Sequence, residues 1–147
     1  MERINESSEN YLESILILEQ RNPSVRMSDI AAMLHVSKPS VNKAMGVLKD
    51  AGYIHQEIYG TIHLTESGRQ YAEKVYSRHI LFKRFLTEVL EVDEPTAEED
   101  ACHMEHCVSD ETMDKLRIFL TEALERPPFH SGVSRHSIAW GCGKRSV

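Results

Sequence analysis

The sequence predicts a mainly α-helical protein, with three helices and a two-stranded hairpin followed by a second, helical lobe. Two observations predict this class. Apolar residues recur at helical spacing along most of the chain, whereas the alternation typical of strands is confined to residues 53–64. Capping residues and proline or glycine breaks divide the helical pattern into six segments.

Length and composition are those of an ordinary globular protein. The 147 residues suffice for one hydrophobic core, or for two small lobes that share one. No apolar run approaches the ~20 residues that span a bilayer, and the first residues lack the order of a signal peptide. We therefore expect a cytoplasmic protein with no membrane partner. Three cysteines without a repeat spacing argue against a disulfide framework, which leaves Cys102 as a thiol.

Three helices are expected in the first 50 residues, each after a serine that can cap it. In order, these are Ser7 or Ser8 before a helix to about Gln20, Ser28 before residues 29–34, and Ser37 before residues 38–50. The short second helix, the three-residue turn and the third helix predict a helix-turn-helix whose last helix reads DNA.

The alternating stretch supports this reading. Residues 53–59 and 61–64, separated by Gly60, predict a two-stranded wing, which completes a winged helix-turn-helix. Residues 26–49 carry a net charge of +3 on a chain whose total is −6, as expected for a local patch that docks on double-stranded DNA. The predicted DNA contacts are Ser37, Lys38, Pro39, Ser40, Asn42 and Lys43. Three helices that merely pack remain an alternative, because helix-turn-helix geometry also occurs in proteins that bind no DNA.

The second lobe is predicted to contain three helices. A long helix should run from about Glu66 to Val92, Thr96 should cap a fifth helix to about Val108, and Ser109 should cap a sixth to Leu124. The apolar faces of these helices exceed what so small a lobe can bury, which predicts a homodimer. The expected divisions are a DNA-binding domain (1–64), a metal-binding and dimerisation domain (65–125) and a flexible tail (126–147).

The stretch from Asp100 to Cys107 carries the candidate chemistry. If it is helical, Cys102, Glu105 and His106 lie at i, i+3 and i+4, so a thiolate, a carboxylate and an imidazole share one face within reach of a single cation. Buried or solvated side chains without a metal are the alternative for this trio. Since transition metals take about four to six donors, others must come from elsewhere. Asn10 and Glu13 share a face of the first helix.

Several motifs together resemble a known family. They are Glu9-Asn-Tyr-Leu-Glu13, Ser37-Lys-Pro-Ser-Val-Asn-Lys43, Leu64-Thr-Glu-Ser-Gly68, Arg78-His79 and the run from Ala101 to Asp110. In this order, from about residue 4 to 125, they resemble the diphtheria-toxin-repressor and manganese-transport-regulator family of metal-dependent transcriptional repressors. Each motif alone is not specific.

The resemblance implies a winged-helix domain, a helical dimerisation domain and a divalent metal between them. It implies a primary metal site formed by Asn10, Glu13, Cys102, Glu105 and His106. His79 matches a ligand of a neighbouring site, and Ser37, Pro39, Ser40 and Lys43 match positions that touch the major groove in relatives.

Two departures from the family pattern concern the metal. Asn10 stands where relatives carry Met or Asp, and its neutral amide is the weaker donor. Lys83 stands where relatives carry a Glu ligand, while Glu98 stands where one branch has His. A lysine cannot be a ligand at neutral pH, but it can pair with Glu98 and replace the charge of a second metal. Our hypothesis is one metal per subunit.

These expectations describe a repressor that binds operator DNA as a dimer when loaded with metal. Fe(II) is the first candidate and Mn(II) the second, because a thiolate and an imidazole suit the softer ion; Co(II), Ni(II) or Zn(II) could bind in vitro. Metal affinity should fall below about pH 6.5.

Three other functions stay open to different degrees. The protein could respond to Mn(II), or it could sense thiol oxidation at Cys102 or Cys107 or a small organic ligand. A metallohydrolase is disfavoured, because His103 to His106 lacks the H-E-x-x-H arrangement. We therefore expect no enzyme activity and no small-molecule substrate.

Overall fold

The computed structural model describes residues 4–125. In chain order the elements are α1 (Glu6–Arg21), α2 (Met27–Leu34), α3 (Lys38–Asp50), β1 (Ile54–Gln56), β2 (Ile62–Leu64), α4 (Glu66–Arg84), a π-helical turn (Phe85–Val89), α5 (Glu94–Met104) and α6 (Asp110–Glu125). The predicted fold class is confirmed: three helices and a two-stranded wing precede a helical lobe.

The N-terminal lobe is built on a continuous apolar core. Leu12 and Ile15 of α1 pack against Ile30 of α2 and Val41 of α3, and all four are fully buried. The antiparallel strands β1 and β2 place their apolar side chains on the same side. Burial of these faces fixes how α3 and the wing are presented to solvent.

The turn between α2 and α3 has the geometry of a helix-turn-helix. His35 ends α2 in the left-handed conformation, with φ of 54°, and its N–H donates to the carbonyl of Ala31. Ser37 then caps α3, its hydroxyl accepting from the N–H of Ser40 at 3.3 Å. The predicted cap and start of this helix are therefore confirmed.

Two other predicted caps are wrong. Asn5, not Ser7 or Ser8, caps α1, because its side-chain oxygen accepts from the N–H of Ser8 at 2.9 Å. The second helix begins at Met27 rather than after Ser28: the carboxylate of Asp29 reaches back to the N–H of Arg26 at 2.8 Å and so lies inside the first turn.

The long helix is interrupted before its predicted end at Val92. Beyond Arg84 the hydrogen bonding shifts, and the N–H of Leu90 donates to the carbonyl of Phe85 at 3.2 Å, five residues back. Glu91 then adopts a positive φ of 57°. The break is accompanied by burial of Leu86, which packs into the core of the second lobe.

The fifth helix also differs from its prediction at both ends. Asp93 caps it, accepting from the N–H of Thr96 at 3.3 Å, and Pro95 lies in the first turn, where its missing N–H costs nothing. The predicted cap at Thr96 is therefore wrong. The helix ends at Met104, four residues before the predicted end near Val108, so that Glu105 and His106 lie in the turn that follows.

Helix α4 connects the two lobes. Its N-terminal half packs on the first core through Tyr71 and Val75, and its C-terminal half packs on Ala97 and Ala101 of α5. Its first turn lies so close to the wing that a Cβ at Gly68 would overlap the carbonyl of Tyr53. Every helix within residues 4–125 is too short or too polar to cross a bilayer.

Candidate metal centre

Two segments that are distant in the sequence meet between the lobes: one face of α1 and the turn after α5. Ligand atoms of Glu13, Glu105 and His106, all buried, lie within 4.8 Å of one another. Helix α4 supplies His79, whose Nδ1 lies 2.8 Å from Oε2 of Glu105. Asn10 reaches the same group from α1 through His106.

Both ring nitrogens of His106 face oxygen acceptors. Nδ1 lies 2.7 Å from Oε2 of Glu9, and Nε2 lies 2.8 Å from Oδ1 of Asn10 and 3.1 Å from Oε1 of Glu105. Burial alone would lower the pKa of this imidazole, but the hydrogen bonds to Glu105 and Glu9 outweigh it and raise the pKa to about 9. Nε2 is therefore the nitrogen that faces the proposed ligands.

Glu105 has an oxygen suited to a cation. Its side chain is fully buried, and Oε1 makes no hydrogen bond of acceptable geometry within residues 4–125. Nε2 of His106 lies 3.1 Å away, but its single hydrogen is shared with the nearer Oδ1 of Asn10, so the bond to Oε1 is a weak one. Such a buried oxygen is costly unless a donor or a cation completes its shell.

The two carboxyl groups of the cluster titrate differently. Burial, followed by the charge of Glu105, raises the pKa of Glu13 to about 8. Burial also acts to raise the pKa of Glu105, but the hydrogen bonds from His106 and His79 hold it below its ordinary value. At neutral pH, Glu13 is therefore mostly protonated beside an ionised Glu105.

A second group of charges lies at the mouth of the same cleft. Nε2 of His79 lies 2.9 Å from Oε1 of Glu98, and Nζ of Lys83 lies 2.8 Å from the other oxygen of Glu98 and 3.0 Å from Glu94. The hydrogen bond from Lys83 lowers the pKa of Glu98. The predicted pairing of Lys83 with Glu98 is present, whereas the contact with Glu94 was not anticipated.

Cys102 is less closely associated with the other candidate residues. It lines a cleft of about 910 Å³ together with Asn10, Glu13, His79 and Glu98, but its sulfur is not among the clustered ligand atoms. Cys102 as a whole is exposed, but partial desolvation of its thiol in the cleft, followed by the charge of Glu105, raises the pKa of the thiol to about 11. Glu105, the residue after α5, keeps helical backbone angles (φ −58°, ψ −28°), and its N–H donates to the carbonyl of Ala101 at 3.1 Å, so Cys102 and Glu105 still lie about one helical turn apart, whereas His106 lies in the turn that follows.

Four supporting residues, Glu9, Tyr71, Arg78 and Asp110, were given no role from the sequence. Glu9 is 1% exposed and binds both His106 and the hydroxyl of Tyr71. Arg78, also buried, donates to Asp110 at 2.6 Å and approaches the carbonyl of Glu105 at 3.5 Å, which holds the turn after α5. The sequence held a signal for Glu9 only. It precedes Leu12 by three residues and Leu16 by seven, so this acidic residue lies on the buried apolar face of α1, where a charge is unexpected.

These residues fit a divalent cation. Carboxylate, amide and imidazole groups converge, and Oε1 of Glu105 is a fully buried oxygen that makes no hydrogen bond of acceptable geometry within residues 4–125. The donor set is mainly oxygen and nitrogen, which suits Mn(II) and Fe(II) as well as later transition metals.

The predicted DNA-contacting side chains all lie on the surface. Ser37, Lys38, Pro39, Ser40, Asn42 and Lys43 are exposed at the start of α3. Val47, one turn beyond Lys43, is 53% exposed, and Ile58 and Tyr59 at the tip of the wing are 99% and 91% exposed. The helix and the wing therefore present polar, basic and apolar groups to solvent.

Comparison with known proteins places these features in a family. Residues 3–62 match the model of the iron dependent repressor N-terminal DNA binding domain. Residues 65–129 match that of the iron dependent repressor metal binding and dimerisation domain.

Individual relatives agree with these matches. An uncharacterised helix-turn-helix transcriptional regulator of Methanocaldococcus jannaschii is 37% identical over 118 residues, covering 80% of this chain and 94% of the relative. Transcriptional regulator MntR of Escherichia coli O157:H7 is 37% identical over 111 residues, covering 76% and 71%. The solved manganese regulator SloR is similar with a TM-score of 0.71 at 28% identity; the match covers 82% of this chain and only 55% of SloR.

Proposed function

This chain belongs to the iron-dependent repressor family, and we propose that it represses transcription by binding operator DNA as a homodimer when a divalent transition metal is bound. The observation that carries this proposal is the meeting of α1 with the turn after α5 at one buried group of ligand atoms. Helix α1 belongs to the lobe that contains the reading helix, and the turn belongs to the other lobe. A change at this group therefore acts on the angle between the lobes.

We propose a separate role for each of the two domains. Residues 1–64 would read DNA, and residues 65–125 would bind metal and dimerise. Asn10 and Glu13 of α1 would hold the cation together with Glu105 and His106, and Cys102 would complete the shell after losing its proton. When bound, a divalent cation would supply positive charge to Oε1 of Glu105 and replace protons on His106 and Glu13.

The chain's own contacts transmit this change. The contact between His106 and Asn10 joins the turn after α5 to α1, and α1 packs along α4. The first turn of α4 in turn lies against Tyr53 at the base of the wing. In a symmetric dimer, the two copies of α3 must lie about one DNA turn, ~34 Å, apart to enter successive major grooves. A preference of about 10⁴ for one arrangement between the lobes moves its population from about 1% to about 99%.

We propose Fe(II) as the physiological metal, supported by the thiol and imidazoles that line the cleft. Mn(II) is the second candidate, and one observation favours it. The sulfur of Cys102 lies outside the clustered ligand atoms, which are oxygens and nitrogen and so suit the harder ion. The raised pKa of the Cys102 thiol disfavours an oxidation sensor at that residue, since the thiolate is the reactive form, and leaves the exposed Cys107 as the thiol for that alternative.

We also propose that each subunit binds one metal, because Lys83 already supplies a positive charge to Glu98 at 2.8 Å. Titration of the purified protein with Mn(II) should therefore give one tight site per chain. In Lys83→Glu the cation is replaced by a carboxylate beside His79 and Glu98, and a second, weaker site should appear. Two tight sites in the unaltered chain would refute the hypothesis.

The test of the overall function is fluorescence anisotropy on DNA from upstream of the protein's own gene. Each divalent metal is added in turn under reductant, and a scrambled duplex of equal length is the control. We expect no specific binding with chelator and restored binding with Fe(II) or Mn(II). Full-strength binding in rigorously demetallated solution would contradict the proposal.

A further inference from the structure

We propose that Glu9 is a positioning residue that fixes the ring of His106 with Nε2 directed at the metal. This inference rests on the proposed function and adds to it a residue outside the ligand cluster. Glu9 is 1% exposed, lies on α1 and contacts His106 across 97 positions of sequence. Its role would be to orient a ligand rather than to be one.

The two sides of the imidazole face different partners. On one side Nδ1 lies 2.7 Å from Oε2 of Glu9. On the other side Nε2 faces Asn10 at 2.8 Å and Glu105 at 3.1 Å, which are both proposed ligands. An ionised carboxylate only accepts, so the nitrogen beside Glu9 must keep its hydrogen. The lone pair available to a cation is then on Nε2.

Glu9 is itself held in one orientation by Tyr71. The N–H of Ile4 donates to the hydroxyl of Tyr71 at 3.1 Å, so the oxygen of this hydroxyl acts as the acceptor. Its own hydrogen is left for Oε1 of Glu9, 2.9 Å away. Tyr71 therefore binds one carboxylate oxygen while His106 binds the other, which fixes the plane of the carboxylate.

A purely structural role would not need this arrangement. A buried carboxylate is costly to desolvate, and an apolar residue at this position of the α1 stripe would pack at lower cost. Hydrogen bonding of a ligand's second ring nitrogen to a carboxylate, by contrast, fixes the ring and raises its basicity toward a cation.

The experiment compares Glu9→Gln and Tyr71→Phe with the unaltered chain. Glu9→Gln keeps the size of the side chain and removes its charge, and should weaken Co(II) binding by about 10-fold or more. Tyr71→Phe removes one hydroxyl and should cause a smaller loss in the same direction. The measurement is competition with a chelator of known affinity, followed by the absorption of bound Co(II). Tyr11→Phe, which removes a hydroxyl from an equally buried tyrosine of α1, is the matched control and should change little.

A second readout uses no metal. In the demetallated protein with ring-¹⁵N histidine, the Nδ1 proton of His106 should be shifted downfield and protected from exchange, and Glu9→Gln should weaken both effects. If the variants have a lower free energy of unfolding but keep wild-type Co(II) affinity, Glu9 has only a structural role and the inference is overturned. If the unaltered chain fails to bind Co(II) at all, the proposed function fails instead.

Discussion

His106 and Glu13 hold protons at neutral pH, and this property governs how a cation can enter the site. Burial and the charge of Glu105 raise the pKa of Glu13 to about 8, and the bonds to Glu105 and Glu9 raise the pKa of His106 to about 9. Both groups must lose a proton to act as ligands. We expected protons to compete with the metal below about pH 6.5; these pKa values extend that competition above neutral pH.

The first prediction follows from this protonation. A group with a raised pKa keeps its proton until the pH exceeds that pKa. The apparent metal affinity should therefore rise as the pH is raised from about 6 to about 8, by up to ~10-fold per pH unit for each proton released. Calorimetric titration with Mn(II) in two buffers of different ionisation enthalpy measures the protons directly. An affinity that is constant over this range, with no proton release, would count against His106 and Glu13 as ligands.

The reading residues give the second prediction. Lys43 is exposed on the face of α3 that also presents Pro39 and Val47. If its ammonium group reaches a base edge, Lys43→Ala should weaken operator binding by roughly 1–3 kcal/mol and relax sequence preference. Lys49→Ala makes the same charge change at the far end of the helix and should cost less. Anisotropy on operator and scrambled DNA separates the cases, since equal losses on both would mean that Lys43 binds only phosphate.

At the scale of single residues, the sequence indicated which candidate side chains would come together better than it indicated what surrounds them. Spacing was sufficient to pair Asn10 with Glu13 and to single out Glu105 with His106. It could not identify the role of Glu9, because that role depends on a contact with His106 that only the tertiary fold creates. Nor could spacing show that the sulfur of Cys102 lies outside the group of ligand atoms formed by Glu13, Glu105 and His106.

Among the elements, the helices were predictable to within a turn, but their ends were not. Local capping signals compete, and the outcome depends on contacts that residue spacing does not encode: Asn5, rather than Ser7 or Ser8, caps α1. The early end of α5 has a similar cause. The side chain of Glu105 contacts His79, and that of His106 contacts Glu9 and Asn10. These long-range contacts occur where the chain leaves the predicted helix.

The third prediction concerns the joint between the wing and α4. A Cβ at Gly68 would overlap the carbonyl of Tyr53, whereas a Cβ at Gly46 in α3 would meet no atom within 4 Å. Gly68→Ala should therefore destabilise the protein by roughly 1–3 kcal/mol through overpacking. Gly46→Ala, the matched control, should stabilise it by up to ~1 kcal/mol, because alanine favours a helix over glycine. Urea unfolding compares the two, and equal shifts would show that the joint is loose.

For the molecule as a whole, the two lobes were predictable but their junction was not. The change from strand alternation to long helices separated the lobes in the sequence. Helix α1 contacts the turn after α5 through residues that are 96 or 97 positions apart in the sequence. No local pattern encodes such a contact. The need for further donors made Asn10 and Glu13 candidates, but only the resemblance to a known family placed them beside Glu105 and His106.

The last prediction concerns self-association, which is expected to use the second lobe. Leu90, Ile118 and Phe119 are each about half exposed, at 54%, 55% and 49%, and the ring of Phe119 lies edge-on to Phe85 at 6.4 Å. Ile118 and Phe119 are neighbours on α6, and exposed apolar side chains of this kind favour an interface there if they are contiguous with Leu90. If the proposed homodimer forms through this surface, Phe119→Glu should convert it to a monomer in sedimentation equilibrium.

The same variant also separates the two halves of the proposed mechanism. The candidate ligands on α1, α4 and the turn after α5 all come from a single chain, so a monomer should keep its Mn(II) affinity. Operator binding should fall sharply, because one copy of α3 covers only half of a symmetric site. Ile58→Glu, at the exposed tip of the wing, is the control and should leave the dimer intact. A Phe119→Glu protein that stays dimeric would place the interface elsewhere, and one that loses Mn(II) would mean that the metal centre depends on the partner copy.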